Sequence, residues 1–324
     1  MSEQTIVANG PVIDVAREIL KPHGEIVIAP DSSDEQVFPL LPEAKGVILR
    51  GDGRFSAEAL EKSAQLQVIA RSGVGYDNVD VAAATARKIP VVFTPGAGAR
   101  AVAEAAMAWM LSLCKRVSHW DHQFKLGDWE SRYALQSGDL EDATLGIVGL
   151  GRIGQQLVRL ATPFDMKILA YDPYIDQDAA ANLGVELVAL DELFQQSDFI
   201  SLHCATTKEN RGVVNRELLQ KVKPGAFFVN LARGPLVDNL DDLHEALQDG
   251  RLAGVGLDVF VVEPPPADFY KHPLFQHPNC LTAPHALAGT RGATRKIFTS
   301  MANDMAAVFR GERPKFVVNP EVFD

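Results

Sequence analysis

The 324-residue sequence predicts an α/β protein made of two doubly wound, parallel-sheet domains. Three observations carry that expectation. Short apolar runs alternate with helical patterns from one end of the chain to the other, as in parallel strands joined by helical crossovers. Within each run the apolar residues are nearly continuous, the pattern of a strand covered on both faces. The length suits roughly two domains of about 150 residues each.

In chain order, "TIVA" (5–8), "EIVIAP" (25–30), "GVILR" (46–50), "LQVIAR" (66–71) and "PVVFTP" (90–95) read as strands. Between them, 12–24, 56–64 and 79–88 show helical spacing with Gly or Pro stops. Residues 101–124 are alanine-rich and free of Gly and Pro, which predicts one long helix. A second series follows: "TLGIVGL" (144–150), "KILAYDP" (167–173), "VELVAL" (185–190), "DFISLHC" (198–204), "AFFVNLA" (226–232), "GVGLDVF" (254–260) and "NCLTAP" (279–284). The stretch 293–319 reads as a helix ended by Gly311 and then a short strand-like tail, which spacing alone assigns to neither domain. "EPPP" at 263–266 is a local rigid turn.

Composition narrows the function classes. The chain is 47% hydrophobic and 23% charged, with a formal net charge of −11. That acidity argues against a general nucleic-acid binder, whose footprint is basic. Cys114, Cys204 and Cys280 are widely spaced, so they read as reduced thiols with neither a disulfide framework nor a metal-ligand spacing. The start "MSEQTIVANG" lacks a basic segment followed by an apolar one, and no apolar run reaches the roughly 18 residues of a membrane span. A soluble, cytoplasmic protein is expected.

The densest motif is "GIVGLGRIGQQLV" at 146–158. Gly149, Gly151 and Gly154 follow a predicted strand and open a predicted helix, and Asp172 ends the next strand. Alone, the glycine spacing is weak; with its strand, helix and acidic residue it reads as a dinucleotide loop. Gly149 permits the turn, Gly151 lets a pyrophosphate approach the main chain, and Gly154 allows close helix–strand packing. Amide groups at the helix start then face the phosphates. Asp172 would accept the ribose hydroxyls and repel a 2'-phosphate, favouring NAD over NADP. The bland alternative for Asp172 is a cap on the turn before Pro173.

"ARSGVGYDNVD" (70–80), "TPGAGARAVAEAAM" (94–107), "NLARGPLVDNLDDLHEAL" (230–247), "GVGLDVFVVEPP" (254–265) and "LTAPHALAGT" (281–290) occur in an order and spacing that span nearly the whole chain. The sequence thereby resembles the D-isomer-specific 2-hydroxyacid dehydrogenases. The resemblance implies a Rossmann NAD domain inserted into a flavodoxin-like substrate domain, with the active site in the cleft between them. Residues 1–100 and 291–324 would form the substrate domain and 101–290 the dinucleotide-binding domain. The long helix from Ala101 would support a homodimer.

Carried onto matching positions, the resemblance makes Arg233 the substrate-carboxylate ligand, His285 the proton-transfer residue and Glu263 its partner. The residue chemistry agrees. A hydroxyl proton needs a base that titrates near neutrality, a carboxylate stabilises the imidazolium, and arginine offers a planar fork for a carboxylate. Singly, each is ordinary: a solvated loop arginine, an exposed glutamate before prolines, a histidine capping a strand. Arg152, Ile153 and Ala232 would meet the cofactor, and Cys204 would border the adenosine with a thiol of no chemical importance. Asp258 would contact the nicotinamide carboxamide, with a buried strand-end cap as the competing reading. Val74 and Gly75 would present amides to the substrate carboxylate.

Two positions depart from the family pattern: Leu287, where a small residue is common beside the nicotinamide or substrate, and Ala205, where proline is frequent. Arg50 and Arg71 end two strands of the first series, where phosphoglycerate-specific relatives hold a phosphate. That tilts the expectation toward 3-phosphoglycerate, against two solvated arginines and a hydroxypyruvate or glyoxylate reductase. At 324 residues, the regulatory domain that some phosphoglycerate dehydrogenases append, and feedback through it, are not expected. A separate class, the NAD-sensing corepressors that share this resemblance, is disfavoured because Arg233, Glu263 and His285 are all present.

Overall fold

A computed structural model describes residues 5–51, 53–134 and 137–324. The chain divides into two compact units, 1–98 with 289–324, and 99–288.

The first unit holds a five-stranded parallel sheet of β1 (Thr5–Ala8), β2 (Glu25–Ile28), β3 (Ala44–Leu49), β4 (Val68–Arg71) and β5 (Val91–Val92), in the order β2-β1-β3-β4-β5. Its strands bury both faces. On one side Val7, Val47, Leu49 and Ile69 pack with Leu60 and Ala84 from the intervening helices. On the other, Ile6, Ala8, Ile48 and Val68 pack with Leu20 and with Phe298, Met301 and Met305 of the helix Arg291–Phe309. Continuous apolar runs are what such two-sided burial requires.

The C-terminal tail belongs to this unit but does not extend as a regular strand. Val317 makes a single antiparallel bridge to Val92, and the fully buried Asn319 does the rest. Its Oδ1 accepts from the Val91 amide at 2.8 Å, and its Nδ2 donates to the Ile89 carbonyl at 2.9 Å and Thr85 Oγ1 at 3.0 Å. One side chain supplies the hydrogen bonds a further strand residue would have made.

The second unit carries seven parallel strands: β6 (Thr144–Val148), β7 (Lys167–Tyr171), β8 (Glu186–Leu187), β9 (Phe199–Leu202), β10 (Ala226–Asn230), β11 (Leu252–Leu257) and β12 (Cys280–Thr282). Their order is β12-β11-β10-β9-β6-β7-β8, so the winding reverses between β6 and β9. Ligands of open α/β sheets bind beyond the strand ends at such a reversal. Ala103, Ala106, Met107 and Met110 of the helix Ala99–Cys114 line one core, with Leu157 and Val158. Phe194, Phe228, Leu236 and Leu243 fill the other.

The single long helix expected over 101–124 is in fact two, Ala99–Cys114 and Val117–Lys125. Between them Arg116 takes a left-handed conformation (φ 53°). The physical reason lies 22 to 24 residues downstream in a loop. The Gly138 amide donates to the Cys114 carbonyl at 3.0 Å and Ser137 Oγ to the Lys115 carbonyl at 3.1 Å. Those carbonyls are the acceptors a continuing helix would need. The second helix buries none of its residues. Among the described residues, no helix is long and apolar enough to cross a membrane.

Candidate active site

Six loops leave the carboxyl ends of β6, β7, β9, β10, β11 and β12, and they carry every candidate residue of the second unit. The loop after β6 is shaped by missing side chains. Gly149 sits at φ +98°, and a Cβ there would lie 2.7 Å from the Cys204 amide nitrogen and 2.9 Å from its Cα. The loop after β9 can approach only because Gly149 has no side chain. A Cβ on Gly154 would lie 2.4 Å from the Gly149 carbonyl oxygen, so the helix Arg152–Ala161 starts tight against the strand it follows.

Gly151 differs. Its φ is −73°, and a Cβ there would meet nothing within 4 Å. Neither turn geometry nor internal packing asks for glycine at that position, which leaves room for an external group to approach the main chain. No side chain caps the helix beginning at Arg152, so the amides of Arg152 and Ile153 are available to an anion. The residues present therefore fit a dinucleotide pyrophosphate.

Asp172 does cap its turn: Oδ1 accepts from the Tyr174 amide at 2.9 Å, and Oδ2 accepts from the Leu150 amide at 2.8 Å. Roughly four lone-pair sites on a carboxylate still leave two for ribose hydroxyls, so the cap and the cofactor role coexist. Burial pushes the Cys204 thiol up to about 11, which makes it inert near neutral pH. The turn that follows, with Ala205 in place of proline, is closed instead by Asn210, whose Nδ2 donates to the Ala205 carbonyl at 2.7 Å.

Beyond β11 and β12 the structure brings Glu263 and His285 together. Glu263 Oε2 lies 2.7 Å from His285 Nδ1, and Glu263 Oε1 accepts from the Phe260 amide at 2.8 Å. Burial alone would raise the Glu263 carboxyl. The His285 and Phe260 hydrogen bonds and the positive charges of His285 and Arg233 outweigh it and hold the group below its usual range. Glu263 is therefore ionised near neutral pH and can only accept, so His285 carries a proton on Nδ1. The His285 side chain is half exposed, and its backbone is left-handed at φ 52°, a conformation that costs a non-glycine residue about 1 kcal/mol or more. Asp258 sustains it. Fully buried at the end of β11, it accepts from the Ala286 and Leu287 amides at 2.9 and 3.4 Å. Burial raises its carboxyl above the ordinary range. The strand-end cap weighed as an alternative is thus present.

Arg233 follows β10, and its Nη1 donates to the Ala232 carbonyl at 2.8 Å. Gly234 fixes its neighbourhood, because a Cβ there would lie 2.0 Å from the Phe260 carbonyl carbon. The chain after Arg233 is thereby pressed against the start of the loop carrying Glu263. A second histidine, His203, is buried, hydrogen-bonds Ser201 through Nε2 at 2.7 Å, and is pushed down to about 4 by burial, so it is neutral near pH 7. Leu287 is partly buried and packs against the core that contains Ala103 and Ile147.

In the first unit Arg50 and Arg71 are half-buried and hydrogen-bonded to main-chain carbonyls. Arg50 Nη1 donates to the Pro11 carbonyl at 2.7 Å, with its guanidinium 5.1 Å from the Phe298 ring centroid. Arg71 donates to the Leu49 and Gly51 carbonyls at 3.4 and 3.0 Å. These carbonyls orient the two guanidinium groups. Val74 and Gly75 lie in the loop after β4, and their amides donate to no backbone carbonyl among the described residues. Sequence reasoning overlooked Asn230, Gly234 and the Phe260 amide. A signal existed for the first two, since Asn230 and Gly234 bracket Arg233 at a strand end.

Residues 107–286 match the family model described as "D-isomer specific 2-hydroxyacid dehydrogenase, NAD binding domain". A D-3-phosphoglycerate dehydrogenase of Methanocaldococcus jannaschii is 38% identical over 97% of this chain and 59% of its own length. The chain thus spans rather more than half the length of that relative. A hydroxypyruvate reductase of Thermotoga maritima is 37% identical over 92% of this chain and 95% of its own. Among solved structures, the TT0316 protein of Thermus thermophilus superposes with a TM-score of 0.89 at 31% identity, covering 97% of this chain and 99% of that one. A D-lactate dehydrogenase of Aquifex aeolicus, complexed with NAD and lactic acid, gives 0.88 at 26% identity, with coverages of 97% and 99%. Glycine loop, strand order and sequence likeness agree: the chain belongs to the D-isomer-specific 2-hydroxyacid dehydrogenase family and binds NAD.

Proposed function

We propose that the protein is an NAD-dependent oxidoreductase that interconverts a D-2-hydroxy acid and its 2-oxo acid, with 3-phosphoglycerate as the leading substrate. The observation that carries this reading is the Glu263–His285 pair, joined through Nδ1 at 2.7 Å. In the oxidative direction Nε2 takes the proton of the substrate hydroxyl, and ionised Glu263 stabilises the imidazolium that forms. In the reductive direction the same imidazolium returns the proton to the carbonyl oxygen. Arg233 binds the substrate carboxylate through its fork and stabilises negative charge developing on the neighbouring oxygen. The amides of Val74 and Gly75 add donors to that carboxylate. Gly151, Arg152, Ile153 and Asp172 would hold NAD, with Ala232, Cys204 and Asp258 beside it, and the nicotinamide would supply the hydride chemistry.

The choice of acid rests on Arg50 and Arg71, two guanidinium groups oriented by main-chain carbonyls at the ends of neighbouring strands, where two cations suit a dianionic substrate. A specific observation favours the second reading, hydroxypyruvate or glyoxylate reduction: the hydroxypyruvate reductase is matched over 95% of its length. The reading includes a cytoplasmic homodimer. The exposed side chains of Phe124, Leu126, Trp129 and Tyr133 supply apolar contact area for the second copy.

The test is NADH oxidation by the purified protein with 3-phosphohydroxypyruvate, hydroxypyruvate, glyoxylate and pyruvate in parallel. Preference for the phosphorylated acid, lost on replacing Arg50 or Arg71 by Ala, is the expected result. Preference for hydroxypyruvate or glyoxylate, insensitive to those substitutions, establishes the second reading. Tight NADH binding without turnover of any acid would instead support a sensing role.

A further inference from the structure

We infer that Asn230 is a positioning residue that sets the main chain bearing Arg233; the inference rests on the proposed function for its kinetic arm only. Asn230 closes β10 and is 1% exposed. Its Oδ1 accepts from the Ala232 amide at 3.0 Å, and its Nδ2 donates to the Arg233 carbonyl at 2.9 Å. One carboxamide therefore grips the backbone on both sides of the Arg233 α-carbon. Only the amide orientation with oxygen toward Ala232 satisfies both contacts. Its own carbonyl accepts from the Asp258 amide at 3.1 Å, which ties the clamp to the residue holding the turn after His285.

A cavity of about 30 Å³, room for one water, is lined by Asn230, Gly234, Val259, Phe260 and Phe269. The Leu236 amide also donates to the Arg233 carbonyl, at a longer 3.3 Å. Arg233 itself is extended, at φ −149° and ψ 140°, a conformation with no intrinsic lock. The Asn230 carboxamide adds the shorter of these two bonds to the Arg233 carbonyl and so fixes the main chain from which the fork projects.

The test compares Asn230→Ala and the isosteric Asn230→Asp with wild type. The Asp variant still accepts from Ala232 but opposes an acceptor oxygen to the Arg233 carbonyl. A displacement near 1 Å costs on the order of 100-fold in rate, so kcat/KM for the best 2-oxo acid of the panel should fall at least about tenfold in both variants, mostly through KM. The NADH Kd should stay within about twofold. In an Arg233→Lys background the same substitutions should cost less than about twofold more, because residues acting as one unit are non-additive. Equal losses in both backgrounds, or a parallel loss of NADH affinity, would mark a merely structural role and overturn the inference. A crystal structure of the Asn230→Ala variant decides the matter independently of turnover. An Arg233 main chain displaced from its present dihedral angles supports the clamp, and an unchanged one refutes it, even if no acid of the panel is reduced.

Discussion

Two regions at the carboxyl end of the same seven-stranded sheet are built in opposite ways. The nucleotide loop, 149–154, owes its shape to atoms that are missing: a Cβ on Gly149 or Gly154 would lie 2.9 Å or less from backbone atoms. The region around Glu263 and His285 owes its shape to atoms that are present, in hydrogen bonds spanning 22 residues from Glu263 to His285 and 28 from Asp258 to Ala286. The first should fail when atoms are added and the second when atoms are removed. Failures of the first should appear in cofactor binding, and those of the second in turnover.

The largest expected effect lies in the second region. His285→Ala removes the proton-transfer group and should lower kcat by about 10²–10⁴-fold. NADH affinity, measured by fluorescence titration, should be unchanged. Retention of wild-type turnover would show that the proton moves elsewhere.

An intermediate effect is expected from adding one carbon to the first region. Gly149→Ala forces a side chain onto a residue at φ +98° and against the Cys204 backbone. A loss of about 1–3 kcal/mol of stability, together with weakened NADH binding, should appear in thermal unfolding and titration. Unaltered NADH affinity would separate the loop's shape from cofactor binding and collapse the comparison.

The smallest effect concerns pH. Glu263 has a folded-state value below its ordinary 4.5, despite burial acting in the other direction, because His285, the Phe260 amide and Arg233 favour its charged form. Its contribution to stability is therefore fully present above the unfolded-state value and is lost as pH falls through the lowered folded-state value. The difference in Tm between wild type and Glu263→Gln should narrow from about pH 6 to about pH 3. A constant difference across that range would mean that the carboxylate charge is not what the pair uses.

Legibility in the sequence followed the same division. The glycine loop was readable because six contiguous residues, a strand before and a helix after contain all its physics. The Glu263–His285 pairing became an expectation only through the resemblance of ordered motifs, since neither residue has a local signature. Asp172 shows both sides at once: its position predicts a ribose ligand, while its two backbone hydrogen bonds were visible only in the fold. Arg50 and Arg71 were legible as strand-end charges, but not as groups already oriented by carbonyls from neighbouring segments.

The sequence by itself determined the α/β class, the succession of strands in two sheets and the dinucleotide loop. Apolar runs and absent side chains act over a few residues, so their consequences do not depend on where the rest of the chain goes. The tertiary structure decided where the predicted long helix breaks, because Ser137 and Gly138 reach back to the carbonyls of Cys114 and Lys115. It also decided that Asn319 replaces a strand, that Leu287 faces the core, and that Asn230 and Asp258 hold the chain around Arg233 and His285. Each is a hydrogen bond or a contact whose partner the fold supplies, and in most of them that partner lies far along the chain.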